Sequence, residues 1–479
     1  MSLKKVAISG MVWTFAQQFS TQLIAFAVSI VLARLLLPAE FGLIAMIAIF
    51  MGVGNALINS GLTQSLIRTE DASEIDFSTV FYFNLAGSVL VYFAVYIGAP
   101  YIAIFYDQPT LTAIVRVYSI IFIINAFGAI QTTRLTKIMD FKTQMKISVP
   151  SLILSSIVGI TMAYHGYGVW SLVASAVVKS LAGTIQLWFW AKWVPLWAFS
   201  ISKFRQHFNY GFKMMLSSLL DIVFSNGYYI IIGKFFAPAQ VGYFGRANTL
   251  QQLPVSNISA MLDKVTFPLF ATIQNDDVKL KSVYKRIMQM VVFLIAPTLI
   301  IMAFLAEPLF RFLFTEKWLP AVPYFQIICI NGILFPIHNY NLTVLKVKGL
   351  SHLFLKLEIV KKIVIVAVIA ASLPFGIYGL LYGSVIASII CFFINTHYSG
   401  KLIDYSAWQQ TKDLIPILFW AFIAGLAVYG LDLGLAAIKI HDFFRLILGT
   451  IVGIASFGAF AYFFKLESYK ELKTIILRK

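Results

Sequence analysis

Charge is scarce in this sequence. Asp, Glu, Lys and Arg make up 12% of its 479 residues, against 60% for the apolar types, and mean hydropathy is +0.85. Soluble domains carry roughly a quarter of their residues as charged types, so the composition excludes a water-soluble protein. Cysteine is nearly absent: Cys329 and Cys391 each stand in an apolar run, which speaks against a disulfide framework or a thiolate metal site. Both are expected to pack as small apolar side chains. The six histidines are scattered, and no Walker lysine motif, HExxH, CxxC or G-x-S-x-G occurs. Gly52 and Gly54 lack the third glycine of a nucleotide loop and fall within an apolar run. The loops expected on the outer side are short, which leaves little room for the catalytic domain of a saccharide polymerase or ligase. No enzyme and no cofactor is called for.

What the chain does have is long apolar segments, each near the twenty residues that cross a hydrocarbon core of about 30 Å. Their expected positions are 9–36, 40–60, 79–104, 113–132, 147–165, 167–190 and 212–236, then 243–272, 287–306, 320–344, 357–373, 376–397, 413–434 and 443–464. The fold class is therefore an all-α polytopic membrane protein of about fourteen transmembrane helices. Trp170, Trp188, Trp190, Trp193, Trp197 and Trp318 lie near segment ends, as in an interfacial aromatic belt. Net charge is +17, but the basic residues sit in short connections and argue for orientation rather than nucleic acid. Lys4 and Lys5, the group from Arg134 to Lys146, Lys192 with Lys203 and Arg205, Lys279 to Arg286, Lys346 to Lys362, and a tail with Lys465, Lys470, Lys473, Arg478 and Lys479 fall on alternate connections. By the positive-inside rule both termini are cytoplasmic. Gln17, Gln18, Thr21 and Gln22 interrupt the first segment and no small-residue cleavage site follows, so it reads as a retained helix.

The chain also repeats itself. Ala33-Arg34-Leu35-Leu36-Leu37-Pro38-Ala39-Glu40-Phe41-Gly42 aligns with Gly233-Lys234-Phe235-Phe236-Ala237-Pro238-Ala239-Gln240-Val241-Gly242, and Tyr167-Gly168 echoes Tyr378-Gly379. Six spans separate the copies, and an even number gives both halves the same orientation, a parallel repeat. Two six-helix bundles are expected, residues 1–191 and 192–400, with two further helices and the tail in 401–479.

Polar side chains inside spans are costly and usually face a cavity or a partner. Thr14, Gln17, Gln18 and Thr21 form one helical stripe, and Ser217, Ser218, Asp221 and Ser225 another. The repeat superposes them, and two such stripes imply a hydrated cleft between the bundles; packed interhelical hydrogen bonding is the plainer alternative. Asp221, far from both span ends, needs a partner, a proton or a bound cation. It is the candidate for Na+ or H+ coupling, unless it pairs structurally with Lys179 or Arg246. Arg34, Arg116, Lys179, Lys234, Arg246 and Lys264 are the cations in or near spans. Snorkelling accounts for most such residues. Arg246 stands before Asn248, Gln251 and Gln252 on a segment too polar to face lipid, and its guanidinium could hold a pyrophosphate. The cavity candidates are thus Gln17, Gln18, Thr21, Arg34, Arg116, Lys179, Ser217, Lys234, Arg246 and Gln251. The spacings Gly379/Gly383 and Gly449/Gly453 suit close helix packing.

Several stretches resemble the bacterial polysaccharide transporters of the multidrug, oligosaccharidyl-lipid and polysaccharide exporter superfamily: Ile8-Ser9-Gly10 through Trp13, Ala33-Arg34-Leu35-Leu36 through Leu43, Gly242-Tyr243-Phe244-Gly245-Arg246-Ala247 through Pro254, Phe267-Pro268-Leu269-Phe270 through Gln274, and Phe314-Thr315-Glu316-Lys317-Trp318. The likeness runs nearly end to end and is greatest to exporters of O-antigen, colanic-acid or teichuronic-acid type. It implies a flippase in the bacterial inner membrane that carries an undecaprenyl-diphosphate-linked oligosaccharide between leaflets by alternating access. Its partners would be membrane lipid, a saccharide polymerase and glycosyltransferases. The alternative is an ion-coupled multidrug or metabolite antiporter of the same superfamily. A membrane-bound saccharide polymerase or an assembly scaffold ranks behind both. Intramembrane charges that are mostly basic favour an anionic cargo.

Overall fold

A computed structural model describes residues 3–59 and 61–477. The expected basic tail residues Arg478 and Lys479 lie outside the described residues, as do the side chains of Lys4, Lys5 and Lys264. Everything regular in the described chain is helical. In order come α1 (Leu3–Leu35), α2 (Pro38–Asn59), α3 (Leu62–Arg68), α4 (Glu74–Tyr106), α5 (Thr110–Tyr118), α6 (Ile120–Lys137), α7 (Phe141–Tyr164), α8 (Val169–Ala191), α9 (Ile201–Ser225) and α10 (Gly227–Phe235). They continue as α11 (Pro238–Thr272), α12 (Asp277–Phe304), α13 (Ala306–Phe314), α14 (Val322–Val347), α15 (Ser351–Ser372), α16 (Gly376–Leu402), α17 (Ala407–Ala437), α18 (Asp442–Phe463) and α19 (Glu467–Leu477).

Helix ends follow local chemistry. Ser73 and Asp76 form a capping box at α4, with Ser73 Oγ accepting from the Asp76 amide and Asp76 Oδ2 accepting from the Ser73 amide. Ser406 and Gln409 repeat the device at α17. Pro38 and Pro238 both open helices, where a missing N–H costs nothing.

Eleven stretches are long and apolar enough to cross a membrane, or up to twelve if the bent pair α9 and α10 is one span. Apolar length alone therefore does not return fourteen. Residues 351–402 count once although α15 and α16 are separate helices joined by a short 3-10 turn at Leu373–Phe375. The α11 helix falls short because Arg246, Asn248, Gln251, Gln252 and Asn257 dilute it.

By contact the chain divides into Met1–Gly242 and Tyr243–Lys479. In the first unit α7 packs on both α1 and α8, α6 lies against α8 and α4, and α9 lies on α2, α3 and α4. Leu62, Leu66, Phe77, Val80, Phe81, Ile130 and Trp193 form a core around the start of α4. Beside it, the buried His207 of α9 bonds Ser65 Oγ through Nδ1 at 2.8 Å and Asp76 Oδ1 through Nε2 at 3.1 Å, so every polar group of that contact has a partner. In the second unit α12 is a central helix packed on α14 and α17, with Met288, Val291, Val292, Ile295 and Leu299 fully buried. Cys329 and Cys391 are free and buried, as expected for small apolar side chains.

Candidate functional site

The first unit encloses a polar cavity of about 950 Å³ lined by side chains of α1, α2, α3, α5, α6, α7 and α8. Helical spacing builds its wall. On α6, Asn125, Thr132 and Thr133 recur at i, i+7 and i+8; on α7, Gln144, Ser148 and Ser151 at i, i+4 and i+7; on α8, Lys179, Ser180 and Thr184 at i, i+1 and i+5. Each set makes one stripe. Packing α7 on α8 and α6 on α8 turns the three stripes toward one space. Hydrogen bonds hold the lining in place: Gln17 Nε2 donates to Ser148 Oγ at 3.1 Å, Ser180 Oγ to Asn125 Oδ1 at 2.5 Å, and Thr184 Oγ1 to the Ile124 carbonyl at 3.0 Å.

Among the described residues Lys179 is the one charged residue of the lining, and no Asp or Glu lines the cavity. Its side chain is exposed and makes no hydrogen bond or ion pair among the described residues. An uncompensated ammonium among hydroxyl and amide groups attracts an anion that carries hydroxyls, because the field it sets up is not cancelled by a neighbouring carboxylate. A smaller pocket of about 330 Å³ shares Asn55, Thr63 and Gln64 with the cavity wall and is completed by Met214, Met215, Ser218 and Ile222 of α9.

Of the residues expected from sequence, Gln17 and Lys179 line this cavity together. Gln18 is exposed, and the Thr21 hydroxyl donates to the Gln17 carbonyl at 2.7 Å. On α9, Ser218 reaches the smaller pocket, whereas Ser217 and Asp221 are exposed and line neither. Asp221 makes no ion pair among the described residues, with Lys179 or any other cation. Arg116 lies over the Tyr96 ring at 4.4 Å and donates to the Tyr96 carbonyl, on α4 and away from the cavity. Lys234 donates to the Phe105 carbonyl at 2.7 Å, at the C-terminal turn of α4 where the helix dipole favours a cation. Arg34 is exposed at the end of α1.

In the second unit, Arg246 is buried with its guanidinium over the rings of Phe314 and Trp318 at 4.9 and 5.1 Å. Gln251 is buried against Gly332, where a Cβ would come within 1.9 Å of its amide nitrogen. Among the described residues no group of three His, Cys, Asp or Glu could hold a metal.

Asn55, Asn125, Gln144, Ser148 and Ser180 were absent from the expected set. The signal was available as polar stripes on α6, α7 and α8, but each stripe alone reads as ordinary interhelical bonding. Only their convergence marks a cavity.

Comparison with known proteins fits this architecture. The pattern of the polysaccharide biosynthesis protein family matches residues 31–323, and the chain belongs to that family. It is similar along its whole length to the teichuronic acid biosynthesis protein TuaB of Bacillus subtilis (strain 168), 26% identical over 482 residues, covering 100% of this chain and 99% of the relative. In fold it resembles the lipid II flippase MurJ in an inward closed conformation, with TM-score 0.74, 13% identity and coverage of 96% of this chain and 99% of that one. A multidrug resistance MATE family transporter of the MOP superfamily, in an inward-facing conformation, is alike at TM-score 0.60, 16% identity, and coverage of 81% and 96%. The chain is a multi-pass, all-helical membrane protein.

Proposed function

We propose that this protein is a flippase that moves a diphosphate-linked oligosaccharide from the cytoplasmic to the outer leaflet of a bacterial inner membrane by alternating access. The cavity of the first unit carries the proposal: its amide and hydroxyl side chains suit a saccharide, and Lys179, without a carboxylate beside it, suits the diphosphate. The named activity of MurJ and the biosynthetic role of TuaB support the reading. Under it, fourteen crossings result when the bent pair and α11 each cross once and α15 and α16 each cross; an even number puts both termini on one side, and the basic connections make the cytoplasm the proposed side. The working bundles are those of the repeat, 1–191 and 192–400, with 401–479 appended. Undecaprenyl is the proposed carrier, and a saccharide polymerase and glycosyltransferases are the proposed partners. Asp221, exposed on α9, is the proposed coupling group for Na+ or H+.

The MATE likeness keeps an ion-coupled drug or metabolite antiporter as the second reading. A cavity whose lining charge is a single lysine repels the organic cations such exporters would carry.

Reconstitution decides between them. Purified protein in vesicles should translocate a polyprenyl-diphosphate oligosaccharide, and Lys179→Ala should slow this about ten- to a hundredfold, the worth of one charged hydrogen bond. Absence of translocation by correctly inserted protein, together with export of a cationic dye, would establish the second reading instead.

A further inference from the structure

The second unit holds a titratable cluster within its helices that saccharide binding does not use. His338 of α14 places Nε2 3.0 Å from Ser388 Oγ and Nδ1 3.4 Å from Asn395 Nδ2, both on α16. An amide nitrogen only donates, so His338 Nδ1 is the acceptor and the ring is neutral, with its proton on Nε2 directed at Ser388. The other end of the same amide is unsatisfied: Asn395 Oδ1 is buried without a hydrogen-bond partner among the described residues. Turning that amide by half a rotation would place Oδ1 against Nδ1, where it accepts an N–H. Both ring nitrogens thus have a partner whether the imidazole is neutral or, after one rotation, charged, and in either state one end of the Asn395 amide faces away from the ring.

Charge surrounds it from one side. Lys361 and Glu358 of α15 pair at 2.5 Å with little exposure, and Lys361 lies within electrostatic reach of both His338 and Cys391 of α16. Most charges of α12 and α13, which also pack on α14, are paired with other residues; Lys279 of α12 and Glu316 and Lys317 of the 3-10 turn Glu316–Ala321 are further charged groups on elements packed against it. On α12, Asp277 bonds Lys348, Lys281 bonds Asp404, Lys285 bonds Asp413 and Arg286 bonds Glu471. On α13, Glu307 and Arg311 pair with each other. An ionised group inside a span is costly unless every hydrogen bond is met. Here both ring N–H groups would find an acceptor.

We propose that His338 is a proton-binding site, filled when the Asn395 amide rotates and tuned by the Glu358–Lys361 pair, through which proton binding is coupled to transport. The coupling rests on the transport reading; the binding does not. The proton exchanges the donor at Nδ1 for an acceptor, and so changes how α14 is tied to α16.

The test uses the full chain in lipid nanodiscs with 15N-labelled histidine, the His338 signals being identified by their loss in His338→Gln. Wild type should show one protonation between about pH 4 and 9. Glu358→Gln leaves Lys361 uncompensated and should move the midpoint down by about one pH unit, and Lys361→Met should move it up by about as much. Asn395→Leu, lacking the acceptor, should move it down. In vesicles, an imposed pH gradient should change saccharide translocation several-fold in wild type and clearly less in His338→Gln, whatever response remains being left to Asp221. A ring that stays neutral across this range in both wild type and Lys361→Met would overturn the proposal. So would midpoints that do not move, or an unaltered gradient response in His338→Gln. The titration needs no substrate, so its failure is distinct from a failure to translocate.

Discussion

Gly42 and Gly242 stand in reciprocal positions. A Cβ on Gly42 would lie 1.8 Å from the carbonyl oxygen of Pro238, and one on Gly242 would lie 2.0 Å from that of Pro38. The two proline-glycine turns that sequence comparison aligns therefore pack on each other, each offering its carbonyl to the other's glycine. That exchange is what a local two-fold relation produces.

The obstructing atoms are backbone, and a rotamer change cannot relieve them. Gly42→Ala or Gly242→Ala should therefore cost about 1–3 kcal/mol or more, the usual penalty of overpacking. Gly87→Ala is the control, since nothing lies within 4 Å of a Cβ there and alanine favours the helix. Thermal unfolding in detergent should show a lowered midpoint for the first two and an unchanged or raised one for the third. Equal midpoints for Gly42→Ala and Gly87→Ala would contradict the close approach.

The repeated turn was legible because glycine and proline report backbone constraints directly in the sequence. The all-helical, multi-pass character was legible too, since hydropathy reports solvent on each segment independently; apolar length gives eleven or twelve candidate spans where fourteen were expected. The cavity was not, because a stripe on one helix does not reveal which neighbour it faces. Lys179 could be named only as one of several intramembrane cations. Arg246 stood out for the polar residues after it, yet its surroundings depend on Phe314 and Trp318, some seventy residues away in sequence. Asp432 and Arg445 were overlooked because each looks like a lone charge near the end of an apolar run.

Tyr405 supplies a pH test outside the spans. Its buried hydroxyl donates to Asp413 Oδ2 at 2.5 Å, and burial together with the adjacent carboxylate pushes its ionisation well above the ordinary tyrosine range. The neutral form is the one the fold favours. The stabilisation is therefore fully present below the unfolded value, near 10, and is lost as pH rises from there toward the folded value. Tyr405→Phe should lower stability by about 1 kcal/mol at neutral pH. Above pH 10 the difference between variant and wild type should shrink, which unfolding measurements at stepped pH would show. A difference that stays constant with pH would contradict the assignment.

Charge in the cavity can be cancelled without touching Lys179. Ala176 lines the same space one helical turn earlier on α8. Ala176→Asp places a carboxylate at i, i+3 from the ammonium and should pair with it. Translocation should fall about as far as in Lys179→Ala, while Ala176→Asn, similar in size and uncharged, should retain most activity. Equal losses in the Asp and Asn variants would point to lost space instead of lost charge.

The tie between α17 and α18 is the sharpest energetic contrast in the second unit. Arg445 Nε and Nη2 donate to the two carboxylate oxygens of Asp432, each at 2.8 Å, and Nη1 donates to Asp442 at 2.8 Å; both side chains of the Arg445–Asp432 pair are less than 10% exposed. Asp432→Asn leaves the Arg445 guanidinium with Asp442 alone and without its two-point partner, so it should cost about 1–3 kcal/mol. Removing both members of the pair should cost less, because Asp432→Leu with Arg445→Met deletes the desolvation penalty along with the attraction. Asp442 would then keep Arg311, 3.7 Å away, as its counterion. The check is a double-mutant cycle on unfolding free energy, in which a coupling near zero would show that the pair contributes nothing to holding the two helices together.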